Sequence, residues 1–72
     1  MKIYESGENY LETIYIMHKR MGAVRAVDLC AELGFSKPTV SVALKRFRED
    51  GYVTVDGDGH IALTEKGLEI AE

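Results

Sequence analysis

Seventy-two residues, 46% of them apolar and 29% charged, suffice for one small globular domain with one core and exclude a disordered segment. The net charge of −3 has the wrong sign for indiscriminate nucleic-acid binding, and the single cysteine, Cys30, excludes an internal disulfide or a cysteine zinc cluster and fits a reducing cytosol. No apolar run reaches the roughly 18 residues of a membrane span, and the first five residues, Met1 to Glu5, lack the apolar core of a signal peptide, so a cytoplasmic location is expected.

A first helix is predicted from Gly7 to about Met21, started by Ser6 and ended by Gly22. Tyr10, Ile14, Met17 and Met21 make one apolar stripe, and Leu11, Tyr15 and His18 a second beside it. Core packing is the expected role of nearly all of them. Lys19 and Arg20 sit in the last turn, where they complement the helix dipole. Ala23 to Arg25 is a short extended link. A second helix is predicted from Val27 to Leu33, with Leu29, Cys30 and Leu33 inward and Gly34 as its stop. Cys30 is expected to be a small buried hydrophobe, since no base lies near it in sequence.

The third helix has the clearest start signal. Ser36 can cap it, Pro38 sits in the first turn where a missing N–H costs little, and Phe35 is placed to staple onto Val40. Val40, Ala43, Leu44 and Phe47 recur at helical spacing and form its inner face. Only Gly34, Phe35 and Ser36 separate this helix from the one before it, which is the helix-turn-helix pattern. The helix ends near Gly51. Tyr52 to Val55 reads as a strand, Asp56-Gly57-Asp58-Gly59 as a hairpin turn, and His60 to Leu63 as the return strand. Thr64 then caps a last helix from Glu65 that carries Leu68 and Ile70.

The order helix-helix-helix-strand-strand-helix is mainly α with a small β-hairpin: a winged helix-turn-helix, with residues 1–72 as a single domain. The pattern of the last helix still runs at Glu72, without a Gly or Pro stop, so the chain is expected to be part of a longer protein.

Charge is polarised along the chain. Between residues 19 and 48 seven cations (Lys19, Arg20, Arg25, Lys37, Lys45, Arg46 and Arg48) face only Asp28 and Glu32, a local excess of +5. On the third helix, at about 100° per residue from Val40, Pro38, Val42, Lys45 and Glu49 point away from the core, with Ser41 and Arg46 beside them. This is the chemistry of a major-groove reader. Ser41 and Thr39 can bond bases or phosphates, Pro38 and Val42 can touch thymine methyls, and Lys45 can reach guanine or phosphate. Lys37, Arg46, Arg48 and Arg25 are placed for phosphates, which set register without reading sequence. The hairpin tip is acidic at Asp56 and Asp58, with only His60 to offset it, so the wing is expected to add little affinity.

An enzyme is not expected. His18 and His60 lie in different elements, Glu8 and Glu12 read as a solvated helix face, and no nucleophile-base set, phosphate-cradling loop or HExxH spacing occurs. Two other readings stay open at this point. One is the winged helix of a different regulator family, and the other is a protein-interaction winged helix without DNA binding.

Four stretches taken together resemble a known family. They are Glu8-Asn9-Tyr10-Leu11-Glu12-Thr13-Ile14-Tyr15, Val24-Arg25-Ala26-Val27-Asp28-Leu29, Ser36-Lys37-Pro38-Thr39-Val40-Ser41 and Leu63-Thr64-Glu65-Lys66-Gly67. In this order and spacing the chain resembles the N-terminal winged-helix domain of the diphtheria toxin repressor and manganese transport regulator family of metal-dependent repressors. The resemblance implies a bacterial cytoplasmic homodimer that binds iron or manganese, then palindromic operators, and represses metal-uptake genes. It also implies a following helical dimerisation domain that supplies most metal ligands, so no metal cofactor is expected in this chain alone. The positions of Ser36, Pro38, Thr39, Ser41 and Val42 would face the groove, with Arg25 near phosphate; the family often has Gln where this chain has Val42. The first helix would contribute metal ligands at Asn9, where Asp or Met is usual, and, in the manganese type, at Glu12.

Overall fold

The computed structural model describes the backbone of residues 3–71 and the side chains from Asn9 to Ala71. The described residues form α1 (Ile3–Met21), α2 (Ala26–Leu33), α3 (Lys37–Glu49), β1 (Val53–Val55), β2 (Ile61–Leu63) and α4 (Glu65–Ala71). The predicted winged helix-turn-helix is the observed architecture. β1 and β2 pair antiparallel with Val53 opposite Leu63, Thr54 opposite Ala62 and Val55 opposite Ile61. Val24, in the link between α1 and α2, adds a single bridge to Ile61, whose N–H donates to the Val24 carbonyl at 2.7 Å.

The core gathers one apolar stripe from each element. Tyr10, Leu11, Ile14 and Met17 of α1 meet Val24, Leu29 of α2, Val40 and Leu44 of α3, and Val53 and Ile61 of the hairpin. The rings of Phe35 and Phe47 flank Tyr10 at centroid distances of 5.8 and 5.5 Å, and Tyr52 meets Phe47 edge-on at 6.5 Å. Burial pushes the Tyr10 phenol above its ordinary pKa, helped by Cys30 nearby.

Several boundaries differ from the sequence reading. α1 begins at Ile3, so Ser6 and Gly7 lie within the helix and do not start it. α1 packs against α4, and tertiary packing carries a helix through residues whose own propensity is poor. Met21 and His18 are exposed, because the last turn of α1 runs past the edge of the core. α2 starts at Ala26 with Arg25 as its cap residue: the Asp28 carboxylate reaches back to accept the Arg25 N–H at 2.9 Å, the reciprocal half of a capping box, while no side chain caps the first-turn N–H groups. Cys30 is half-buried against the core. The strands are one residue shorter at Tyr52 and His60 than expected. The tip explains the second of these: Asp56 Oδ1 accepts the N–H groups of both Asp58 and His60 at 2.9 Å, so the turn claims His60.

Candidate nucleic-acid interface

The segment that starts α3 is built by its own side chains. Gly34 ends α2 in the left-handed conformation, φ 71°, and its N–H donates to the Cys30 carbonyl. This reverses the chain within three residues. Ser36 is extended, and its hydroxyl accepts the Thr39 N–H at 3.4 Å. Its Oγ also lies 2.9 Å from Thr39 Oγ1, so the two hydroxyls are partly committed to each other. Pro38 occupies the first turn as expected. Phe35 is 44% exposed, and its ring packs beside that of Tyr10.

The two faces of α3 are sharply different. Val40 is fully buried and Leu44 is 6% exposed, with Ala43 and Phe47 half-buried beside them. Lys37, Pro38, Thr39, Ser41, Val42, Lys45, Arg46 and Arg48 are all exposed, as are Ser36 at the cap and Arg25 before α2. The structure thus gathers nine of the ten residues singled out from sequence onto one helix and its cap, while Arg25 stands at the start of the neighbouring helix. The described salt bridges, Arg20–Glu32 at 3.0 Å and His60–Asp56 at 3.5 Å, involve none of the five cations in the set. An exposed cation without an internal carboxylate keeps its full charge for an external anion. Arg20, by contrast, pairs with Glu32, an anion already subtracted in the local excess of +5, so the pairing leaves that excess unchanged.

A shallow groove runs along α3 beside the wing, lined by Lys45, Arg48, Glu49 and the strand residues Val53, Thr54 and Val55. Thr54 was not among the sequence candidates. The signal was available: Val53 is buried, and strand alternation turns the next residue to solvent. Lys66, another cation, is exposed but engaged on the domain itself; its ammonium donates to the Asp50 carbonyl at 3.0 Å and lies 4.5 Å from the centre of the Tyr52 ring.

Asn9 and Glu12 are exposed on adjacent turns of α1. One neutral amide and one carboxylate do not satisfy a transition metal, which takes about four to six ligands. Among the described residues, the one group of three potential ligands is Asp56, Asp58 and His60, at the wing tip, and it includes neither. The residues present on α1 therefore do not fit a metal centre by themselves.

Residues 2–61 match the family model described as iron dependent repressor, N-terminal DNA binding domain. The iron-dependent repressor IdeR of Mycobacterium tuberculosis is 36% identical over 70 residues, 97% of this chain and 30% of its own length. The transcriptional regulator MntR of Escherichia coli is 34% identical over 65 residues, 90% of this chain and 42% of its own length. The chain thus spans less than half the length of the curated relatives it matches. Among solved structures, the manganese regulator SloR superposes with a TM-score of 0.77 at 28% identity, over 90% of this chain and 30% of that one. MepR of Staphylococcus aureus, solved in complex with DNA, superposes at 0.69 with 27% identity over 92% of this chain and 50% of that one.

Proposed function

The chain belongs to the family of iron-dependent repressor N-terminal DNA-binding domains, and from that membership we propose that α3 is its major-groove reader, within a bacterial metal-responsive transcriptional repressor. The observation that carries the assignment is the outer face of α3, where Lys37, Lys45, Arg46 and Arg48 are exposed and absent from the described salt bridges. Ser36, Pro38, Thr39, Ser41 and Val42 line the base-facing side, and Arg25, Lys37 and Arg48 clamp phosphates. The groove beside β1 extends the phosphate path to Thr54.

The relatives named for iron and manganese support a metal-responsive parent protein, with the remaining ligands outside these 72 residues. We further propose that the parent protein is a cytoplasmic homodimer spanning two half-sites of a palindromic operator, about one helical turn or a multiple apart. A single domain gives weak and steeply salt-dependent affinity, because most of its contacts are to phosphate.

The test is the salt dependence of binding to duplex DNA by the wild type and by a Lys45→Ala/Arg46→Ala double variant. The double variant is expected to bind more weakly and to flatten the slope of log K against log salt by up to about 2, near 0.9 for each phosphate that is no longer neutralised. An unchanged slope and affinity would remove α3 from the interface. No binding to duplex DNA by either protein, even at low salt, would point instead to a protein-interaction module, consistent with the net charge of −3 and the acidic wing.

A further inference from the structure

Val42 is 64% exposed, the highest value among the exposed large hydrophobic residues. It stands one turn after Pro38 and one turn before Lys45 and Arg46, all exposed, two residues beyond the fully buried Val40. A β-branched apolar side chain in the middle of an exposed helix face has lower helix propensity than the residues around it and gains nothing from burial. It therefore has no structural task on this domain.

Resting on the reading of α3 as a groove reader, we propose that Val42 is a specificity determinant that reads the C5-methyl group of a pyrimidine. Its side chain has no donor or acceptor. Against guanine, adenine or unmodified cytosine it covers N7, O6 or an exocyclic amine without replacing the water it removes, which costs affinity. The C5-methyl of thymine is the one apolar feature that the major-groove edges present. Val42 has a stiff χ1, so little side-chain freedom is lost when it docks. Pro38 before it and the stems of Lys45 and Arg46 after it exclude water around the contact. The ligand class is thus a 5-methylated pyrimidine, thymine or 5-methylcytosine, at one position of each half-site.

The test is a parallel selection of the wild type and Val42→Gln from a random duplex pool, followed by titration of single-base analogues of the selected site. Val42 is exposed, so circular dichroism should show both variants folded. The wild type should enrich a thymine·adenine pair at one position; Val42→Gln can engage the adenine of such a pair through N6 and N7 and so should no longer depend on the thymine methyl there, with the rest of the motif unchanged. Replacing that thymine by deoxyuridine removes one methyl group and leaves every hydrogen-bonding group in place. Wild-type affinity should fall about three- to fivefold, as expected for one buried methyl. A 5-methylcytosine·guanine pair at the same position should bind more tightly than the unmethylated pair, and Val42→Ala should shrink both differences below twofold. The proposal is overturned if deoxyuridine is tolerated at every position, or if Val42→Gln loses as much affinity as the wild type on deoxyuridine at the selected thymine. Either result leaves the groove reading standing, provided a motif is selected. Failure of both proteins to select any motif, with binding unaffected by the Lys45/Arg46 change, removes both.

Discussion

The Thr64 hydroxyl donates a 2.6 Å hydrogen bond to the Gly51 carbonyl and so ties the segment just past the end of α3 to the start of α4. The same oxygen accepts the Gly67 N–H at 3.1 Å, and the Thr64 N–H donates to the Tyr52 carbonyl at 3.0 Å. One residue therefore caps α4 and fixes the segment through which α3 passes into the wing. The position of α3 relative to the hairpin, and with it the groove beside β1, depends on this knot.

Thr64→Val keeps the shape and removes both side-chain hydrogen bonds. It is expected to lower stability by about 1 kcal/mol, chiefly the cost of the lost cap, since the exposed Gly51 carbonyl can pair with water. Thr64→Ser keeps the oxygen and should stay within about 0.5 kcal/mol of the wild type. Urea unfolding at unchanged m-value measures both. Equal stability of the valine variant and the wild type would show that the knot does not hold the domain together.

Gly67→Ala sets two effects against each other. Within an exposed helix the change would stabilise by about 1 kcal/mol. Here Gly67 is buried, and an added Cβ would collide with the backbone carbonyl oxygen of Tyr52, the acceptor of the Thr64 N–H. A backbone atom cannot swing aside as a flexible side chain can, so the steric effect should win and destabilise by about 1–3 kcal/mol. For a domain this small, each kcal/mol lowers the melting temperature by about 4–8 °C. A rise in melting temperature would mean that α4 can shift away from Tyr52 at no cost.

What could be read from sequence was local. The apolar period of α3, its Ser36 cap, Gly34 and the Asp-Gly pairs each act within a few residues, and the helix, the turn and the wing they predict are where they were expected. The features missed were non-local. The early start of α1 accompanies packing on α4, and the Val24–Ile61 bridge joins residues far apart in the chain. Asp28 caps α2 through the Arg25 backbone, although arginine is not a capping residue. The outer face of α3 was legible because helical spacing alone fixes it. That Ser36 and Thr39 pair with each other, that Arg20 pairs with Glu32 and that Thr54 joins the groove needed the tertiary structure.

The wing tip should respond to acid. The N–H of His60 above all holds the Asp56 carboxyl below the ordinary carboxylate range; desolvation opposes it, and the Asp58 N–H with the charge and hydrogen bonding of the His60 ring carries the balance downward. A folded-state pKa below the unfolded value stabilises the turn above the ordinary carboxylate pKa, and this contribution disappears as pH falls through the lowered value. The amide proton shifts of Asp58 and His60 should therefore report the carboxylate transition together, and only below the normal aspartate range. Asp56→Asn should keep the turn and abolish this acid transition, while Asp56→Ala should shift both amides at every pH. A transition at or above the normal aspartate range would contradict the bonding seen at the tip.

Manganese or ferrous ion added to these 72 residues should give no saturable binding at micromolar concentration. Asn9 and Glu12 offer one neutral oxygen and one carboxylate, both exposed, and a labile divalent ion held by two such groups keeps most of its water. Asn9→Asp adds a second charge to α1 and should tighten binding without bringing it to sub-micromolar strength, since the ligand count is unchanged. Isothermal titration calorimetry measures this directly. Binding lost on Asp56→Ala and Asp58→Ala would belong to the wing tip, where the three side chains Asp56, Asp58 and His60 present ligand atoms within 4.8 Å of one another. A sub-micromolar isotherm that survives those changes and disappears with Glu12→Gln would show that α1 alone builds a complete metal centre.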